Sequence, residues 1–243
     1  MSRSVFFLLG LMVGTIHLFS QTAPPSLTPT SPALKEISPG VFELNGVRLD
    51  KNNHRISFPG TVNQREGLIE YLLVNVNGKV HESLLATKVQ PRDIHVALLL
   101  IGLKENPKAN SGDAVPPDAI DSAYLQSAPK LKGPPVRIFV AWTQDGKRKE
   151  IPAEEWIFNL QTKHPMTTGP WTYNGSLIQD GVFLADQELS IVAVITDPTA
   201  LVNNPRDGYN NDEIWQVQDK LVPPIDTPVE ITIAITETDP AKP

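Results

Sequence analysis

The chain reads as a β-dominated α+β protein, built of antiparallel, hairpin-rich sheet layers with one buried helix. Three observations lead there. Asn-Gly or Asp-Gly pairs stand between short hydrophobic runs at 45–46, 77–78, 145–146 and 174–175, and such pairs accept the positive φ of a tight hairpin turn. Residues 229–236 alternate apolar and polar side chains, the period of a strand with one wet face. Helical spacing runs over several turns only near residues 91–103.

Taken in order, an apolar run over residues 5–19 follows Arg3 and ends at Ser20, a small residue suited to signal peptidase. Residues 1–20 therefore read as a secretory signal peptide. The run is shorter than the roughly 20 apolar residues of a spanning helix, so no stable membrane insertion is expected after cleavage. An uncleaved anchor stays open as the alternative, because Leu18 stands where a smaller residue is usual. Residues 21–39 carry five prolines among Ser and Thr without apolar periodicity, the composition of an extended tether. Residues 40–237 are expected to form one globular domain, about 200 residues sufficing for one sizeable core, with 238–243 a disordered tail. The chain has no cysteine, which excludes a lipoprotein anchor and leaves stability to core burial alone.

Within the domain, the turn pairs set hairpins between 41–44 and 47–50, between 136–143 and 148–151, and between 171–173 and 176–178. The stretch 62–85 is expected to fold as a hairpin about Asn77-Gly78. In that register Glu82 falls among Tyr71, Leu73 and Leu84, while His81 and Ser83 point to the other face. Both faces are expected to be covered. A carboxylate so placed either finds a cation such as Arg65 or has its pKa pushed upward by desolvation. Residues 190–196 form a continuous apolar run suited to a central strand. In the helix, Ile94, Ala97, Leu98 and Ile101 make the inward stripe; Val96, Leu99, Leu100 and Leu103 make the far side apolar too, predicting a helix packed between layers. His95 reads as a satisfied boundary histidine. A short helix is expected over 152–158, with Glu154 and Glu155 in its first turn and Trp156 and Phe158 inward. Residues 104–135 are rich in proline and form a long excursion, with a helical turn possible only at 118–124.

The strings REGLIEYLLV and KVHESLL, the apolar helix, and farther on WTYNGS and NNP before an acidic stretch ending in Trp215 together resemble the YdjY-type domain family of bacterial extracytoplasmic proteins. The resemblance covers roughly residues 40–237. It implies compartment and domain extent; the family has no assigned activity, so no catalytic residue is carried over. Some relatives carry cysteine-rich portions resembling iron–sulfur sites, and the lack of cysteine removes that redox role here.

Two groups of residues could carry chemistry. The first is Glu82, His81, Glu70 and Glu66. The expected alternation of faces separates His81 from Glu82, and the HExxH pattern of zinc proteases fails because position 85 is Leu85. The second is the loop 197–215. Asn203, Asn204, Asp207, Asn210 and Trp215 are candidates for a polar ligand there, and Asp207, Asp212 and Glu213 for a metal, calcium being the ion such oxygen donors suit. The spacing departs from the helix-loop-helix calcium pattern, and Asn and Asp are also ordinary turn formers. No other cofactor is evident. A formal net charge of −6 argues against nucleic acid as a partner. The reading is a periplasmic or secreted binding module, with an envelope protein or small polar ligand as partner. The alternative is a metal-assisted hydrolase assembled from the two residue groups.

Overall fold

The computed structural model describes residues 34–104 and 127–236. The expected signal peptide, residues 21–33 of the expected tether, the turn expected at 118–124 and the expected tail lie outside the described residues. Strands β1 (Lys35–Ser38), β2 (Val41–Leu44), β3 (Val47–Asp50) and β4 (Arg55–Val62) run as successive antiparallel neighbours. Asn45 and Gly46 hold φ of 47° and 84°, so this turn has the backbone its sequence predicts. Strand β1 occupies part of the stretch expected as tether. Next come β5 (Tyr71–Asn75), β6 (Ser83–Thr87) and helix α1 (Pro91–Leu100), then the long hairpin of β7 (Pro135–Gln144) and β8 (Lys147–Pro152). Its Asp145-Gly146 turn has φ of 51° and 71°.

A 3-10 turn at Ala153–Trp156 leads into β9 (Ile157–Asn159), β10 (His164–Pro165) and β11 (Trp171–Tyr173). The small hairpin of β12 (Ile178–Gln179) and β13 (Val182–Phe183) precedes helix α2 (Leu184–Glu188). Strands β14 (Ser190–Ala193), β15 (Val202–Asn203), β16 (Trp215–Val217) and β17 (Pro228–Ile235) complete the chain order.

Instead of stacked layers, the main sheet closes on itself. Strands β4, β17, β7, β11, β15, β14, β5 and β6 are bonded in that order, and Thr61 and Val62 of β4 pair with Ala86 and Leu85 of β6. Closure satisfies the edges that an open sheet would leave. The register keeps one set of side chains inward all the way round. Ile56, Ile233 and Ile138 align across three strands; Val136 then faces Trp171, Tyr173 faces Val202, Val202 faces Val192, Val192 faces Leu73, and Leu73 faces Leu85, opposite Val62. Each of these is at most 1% exposed, so the ring is filled by side chains, as expected for about eight strands. Helix α1 adds Ile94, Ala97 and Leu98 to the same core. Its far side departs from expectation: Val96 and Leu100 are 40% and 38% exposed, so the helix lies against the ring with one face open.

Two expected hairpins are corrected. Around Asn77-Gly78 neither residue has positive φ, and β5 runs parallel to β6. The connection, residues 76–82, is far shorter than the dozen or more residues usual between parallel neighbours. It manages this by folding back tightly: Gly78 N donates to Asn75 O at 2.8 Å, Val80 N donates to Gly78 O at 2.9 Å, and a 3-10 turn follows at Val80–Glu82. Glycine is needed at 78 for space, since a Cβ there would lie 2.9 Å from Leu189 Cβ. At Asn174-Gly175 the chain does not double back either; β11 pairs with β7 and β15. The Asn174 amide instead donates to the carbonyls of Pro198 and Ala200. The expectation that 71–75 and 83–87 are covered on both faces does hold, every residue of both strands being buried.

Candidate functional site

The parallel return brings the chain back to the start of β5, and this assembles the site. Lys79 reaches across to donate to Tyr71 Oη at 2.8 Å, with its ammonium 5.0 Å from the centre of that ring. Tyr71 in turn donates to Asp197 Oδ2 at 2.9 Å. Asp197, 1% exposed, accepts from both the backbone and the hydroxyl of Thr199 through its other oxygen. Burial and the neighbouring Asp197 charge hold the Tyr71 phenol well above its ordinary pKa. Tyr71 is therefore a neutral hydrogen-bond relay between a cation and a buried carboxylate.

Glu70 and Glu82 lie beside this relay, joined through the backbone by Glu70 N donating to Glu82 O at 3.0 Å. Burial pushes the Glu70 carboxyl up to about 7, the Glu82 and Asp212 charges adding to the effect and Lys79 opposing it. Burial raises Glu82 as well, against the pull of His81 and Lys79. The Glu82 charge thus disfavours ionisation of Glu70 beside it.

The placement of Glu82 corrects the sequence reading. It sits in the 3-10 turn rather than on a strand among Leu73 and Leu84, and its Oε2 is 3.6 Å from His81 Nε2. Strand alternation does not apply in such a turn, so the two neighbours meet. Arg65 is not its partner: that guanidinium donates to the carbonyls of Val222 and Asp219. Ser83 is fully buried and spends its hydroxyl on Leu85 O. Outside the turn, His81, Glu66, Arg65 and Asn63 line an open cleft of about 640 Å³. Asn63 braces its wall by donating to Val80 O and Ser83 O, both at 2.6 Å.

The loop 197–215 divides into two parts. Asn203 and Asn204 are buried and spent on scaffolding: Asn203 accepts from Asp197 N and donates to Asn174 Oδ1, while Asn204 donates to Val194 O. Trp215 is buried and donates to Gly208 O at 2.8 Å. Asp207 and Glu213 are exposed, Asn210 and Asp212 half-buried, and Asn211 accepts from Glu213 N in an ordinary Asx turn. Among the described residues no group of three or more His, Asp or Glu is arranged to hold a metal ion. Of this loop, Asp197 and Asp212 are the residues that reach the Glu70 carboxyl electrostatically.

A buried ion pair that no local pattern signals fixes this loop. Arg206 meets Glu154 Oε1 at 2.7 Å, the Glu154 side chain being 0% and that of Arg206 13% exposed. Arg206 also donates to Thr167 O, Gly169 O and Asn204 Oδ1 and lies 5.0 Å over the Trp171 ring. The helix expected over 152–158 is cut to the 3-10 turn Ala153–Trp156, because the chain turns extended at Ile157 to pair as β9, and Glu154 in that turn is an interior anchor. His95 is satisfied as expected, its Nδ1 lying 2.6 Å from Tyr173 Oη.

No curated protein and no solved structure matches the chain. The family model of the YdjY domain matches residues 47–234, spanning the strands of the ring and the whole of the candidate site. The chain belongs to the YdjY domain family.

Proposed function

We propose that this protein works outside the cytoplasm, periplasmic or secreted, as a non-catalytic binding module of the cell envelope, gripping a polar, donor-bearing group at the cleft beside His81 and Glu82. The observation that carries the reading is how the polar groups are used. Tyr71, Asp197 and Ser83 are buried and engaged with one another or with the backbone, so none of these three stands ready as a nucleophile beside His81. Glu66 and His81 line the 640 Å³ cleft, and Glu82 stands behind the His81 imidazole, its Oε2 3.6 Å from Nε2. Carboxylates whose ionisation is costly in isolation gain from an incoming cation or hydrogen-bond donor. An ammonium group, on a small amine or a lysine of a partner protein, suits that need. The compartment rests on the apolar run after Arg3 and the proline-rich stretch behind it.

The test is calorimetry of the purified chain with spermidine and with a Lys-Gly-Gly peptide, in wild type and Glu82→Gln. Binding weakened about tenfold by the substitution is expected, as for loss of a charge-assisted contact. Turnover of a defined substrate, lost in Glu82→Gln, would sink the proposal. N-terminal sequencing of the exported chain is expected to begin at Gln21.

A further inference from the structure

On the outer face of the ring, two cavities of about 400 and 330 Å³ share Arg48, Ser57, Arg148 and Glu230. They form one trough across β3, β4, β17, β7 and β8. Its floor follows from register. Arg48 pairs with Ser57, and Ser57 with Thr232, which sets a guanidinium and two hydroxyls in one cross-strand row at strand spacings of roughly 4.7–4.9 Å. Thr232 is only 7% exposed at the bottom of it, and Ala141 keeps the neighbouring row shallow.

The walls are charged but balanced. The larger cavity is lined by Arg48, Arg55 and Arg148 against Asp50, Glu150 and Glu230. Arg148 is held by Glu150 at 3.0 Å and Glu230 at 2.7 Å, and Arg55 stands 3.8 Å from Asp50. These pairs fix the orientation of the forks while leaving N–H groups and oxygen lone pairs over. Arg48 has Glu43 as its cross-strand neighbour on the far side, yet among the described residues no carboxylate lies within 4.0 Å of it. Ser57 and Thr232 make no side-chain hydrogen bond among the described residues either.

A dense anion entering this trough would meet three carboxylates, and a cation three guanidiniums. A ligand whose every polar atom both donates and accepts meets neither penalty, and hydroxyl groups have that property. Two confluent cavities call for more than one ring-sized unit. We propose that this trough is a binding site for a neutral oligosaccharide, with Arg48, Ser57 and Thr232 as the row that hydrogen-bonds its hydroxyls. The site shares no residue with the His81 cleft, so the two readings stand or fall separately.

Ligand-observed NMR and calorimetry of the full chain with maltotetraose, cellotetraose and chitotetraose test it. At least one should bind, with Arg48→Ala and Thr232→Val each weakening it by about fivefold or more and Glu82→Gln leaving it unchanged. Thr232→Val removes a hydroxyl at nearly constant shape, and unchanged melting of both variants separates lost contacts from lost fold. The proposal is overturned if none of the three binds at about 10 mM, or if binding persists in both variants. Saturable binding of inorganic phosphate that Arg48→Ala abolishes, without sugar binding, would also overturn it in favour of an anion site.

Discussion

Replacing Arg206 by alanine should be among the most damaging single changes in this protein. The side chain pairs with Oε1 of Glu154, whose carboxylate is fully buried, bonds two backbone carbonyls and Asn204, and covers Trp171. Removing it leaves a buried carboxylate with Gly169 N, at 3.1 Å, as its one remaining donor among the described residues. Stranding one member of a buried pair costs about 3–5 kcal/mol, a large share of the roughly 5–15 kcal/mol that holds a domain folded. Glu154→Gln keeps an acceptor for Arg206 and should cost less, about 1–2 kcal/mol. Arg206→Met combined with Glu154→Leu removes both charges, and the double variant should recover at least half of the Arg206→Ala loss, because no ion then remains to be desolvated. Urea unfolding followed by tryptophan fluorescence reports all three. An Arg206→Ala protein within about 1 kcal/mol of wild type would refute the reasoning, and so would a double variant less stable than Arg206→Ala.

Other outcomes follow from the same geometry. Glu70 titrates at about 7 in the folded chain against an ordinary 4.5, so the folded state binds more protons than the unfolded state between those values. Stability should be fullest below about 4.5 and fall as pH rises through 7, by on the order of 1–2 kcal/mol once the half-exposed carboxyl is discounted for solvent screening; Glu70→Gln should flatten that slope in urea melts at pH 5 and 8. Gly78→Ala should cost about 1–3 kcal/mol by crowding Leu189, whereas Asn77→Ala, at a position without positive φ, should stay within about 0.5 kcal/mol; the reverse order in chemical denaturation would restore the hairpin. Calorimetric titration with Ca²⁺ should give no saturable heat, since Asp207, Asp212 and Glu213 are not arranged as a group that could hold an ion; heat that disappears in Asp212→Asn would establish a metal role for them.

Where a turn dipeptide acts through its own backbone, the sequence predicted the structure. Asn45-Gly46 and Asp145-Gly146 adopt positive φ and join the strands expected of them. Asn77-Gly78 has the same letters for another reason: its glycine makes room for Leu189, a contact over a hundred residues away in the chain and invisible to local pattern. Asp180-Gly181, with φ of 50° and 79°, does turn a hairpin that the reading missed, because its two-residue strands show no alternation to notice. Ring closure rests on the pairing of β4 with β6, and nothing in either strand states which edge it will meet. The same division runs through the site. Glu82 drew attention as an acid in apolar company, and burial does raise its pKa. Its true neighbours, Glu70, Lys79 and His81, come from the parallel return and could not be read from strand alternation. Asp197 stood out only as one oxygen donor of its loop and Arg206 not at all, since only the fold brings Tyr71 to the one and Glu154 to the other.

The parallel return is what places Glu82 beside Glu70. Carboxyl-carbon NMR titration of both residues, in wild type and in Glu82→Gln, tests it most directly. Glu70 is expected to titrate at about 7 in wild type and to move down toward the usual carboxylate range when the Glu82 charge is removed. A Glu70 that titrates at the ordinary 4.5 and does not respond to Glu82→Gln would contradict the placement and the binding site built on it.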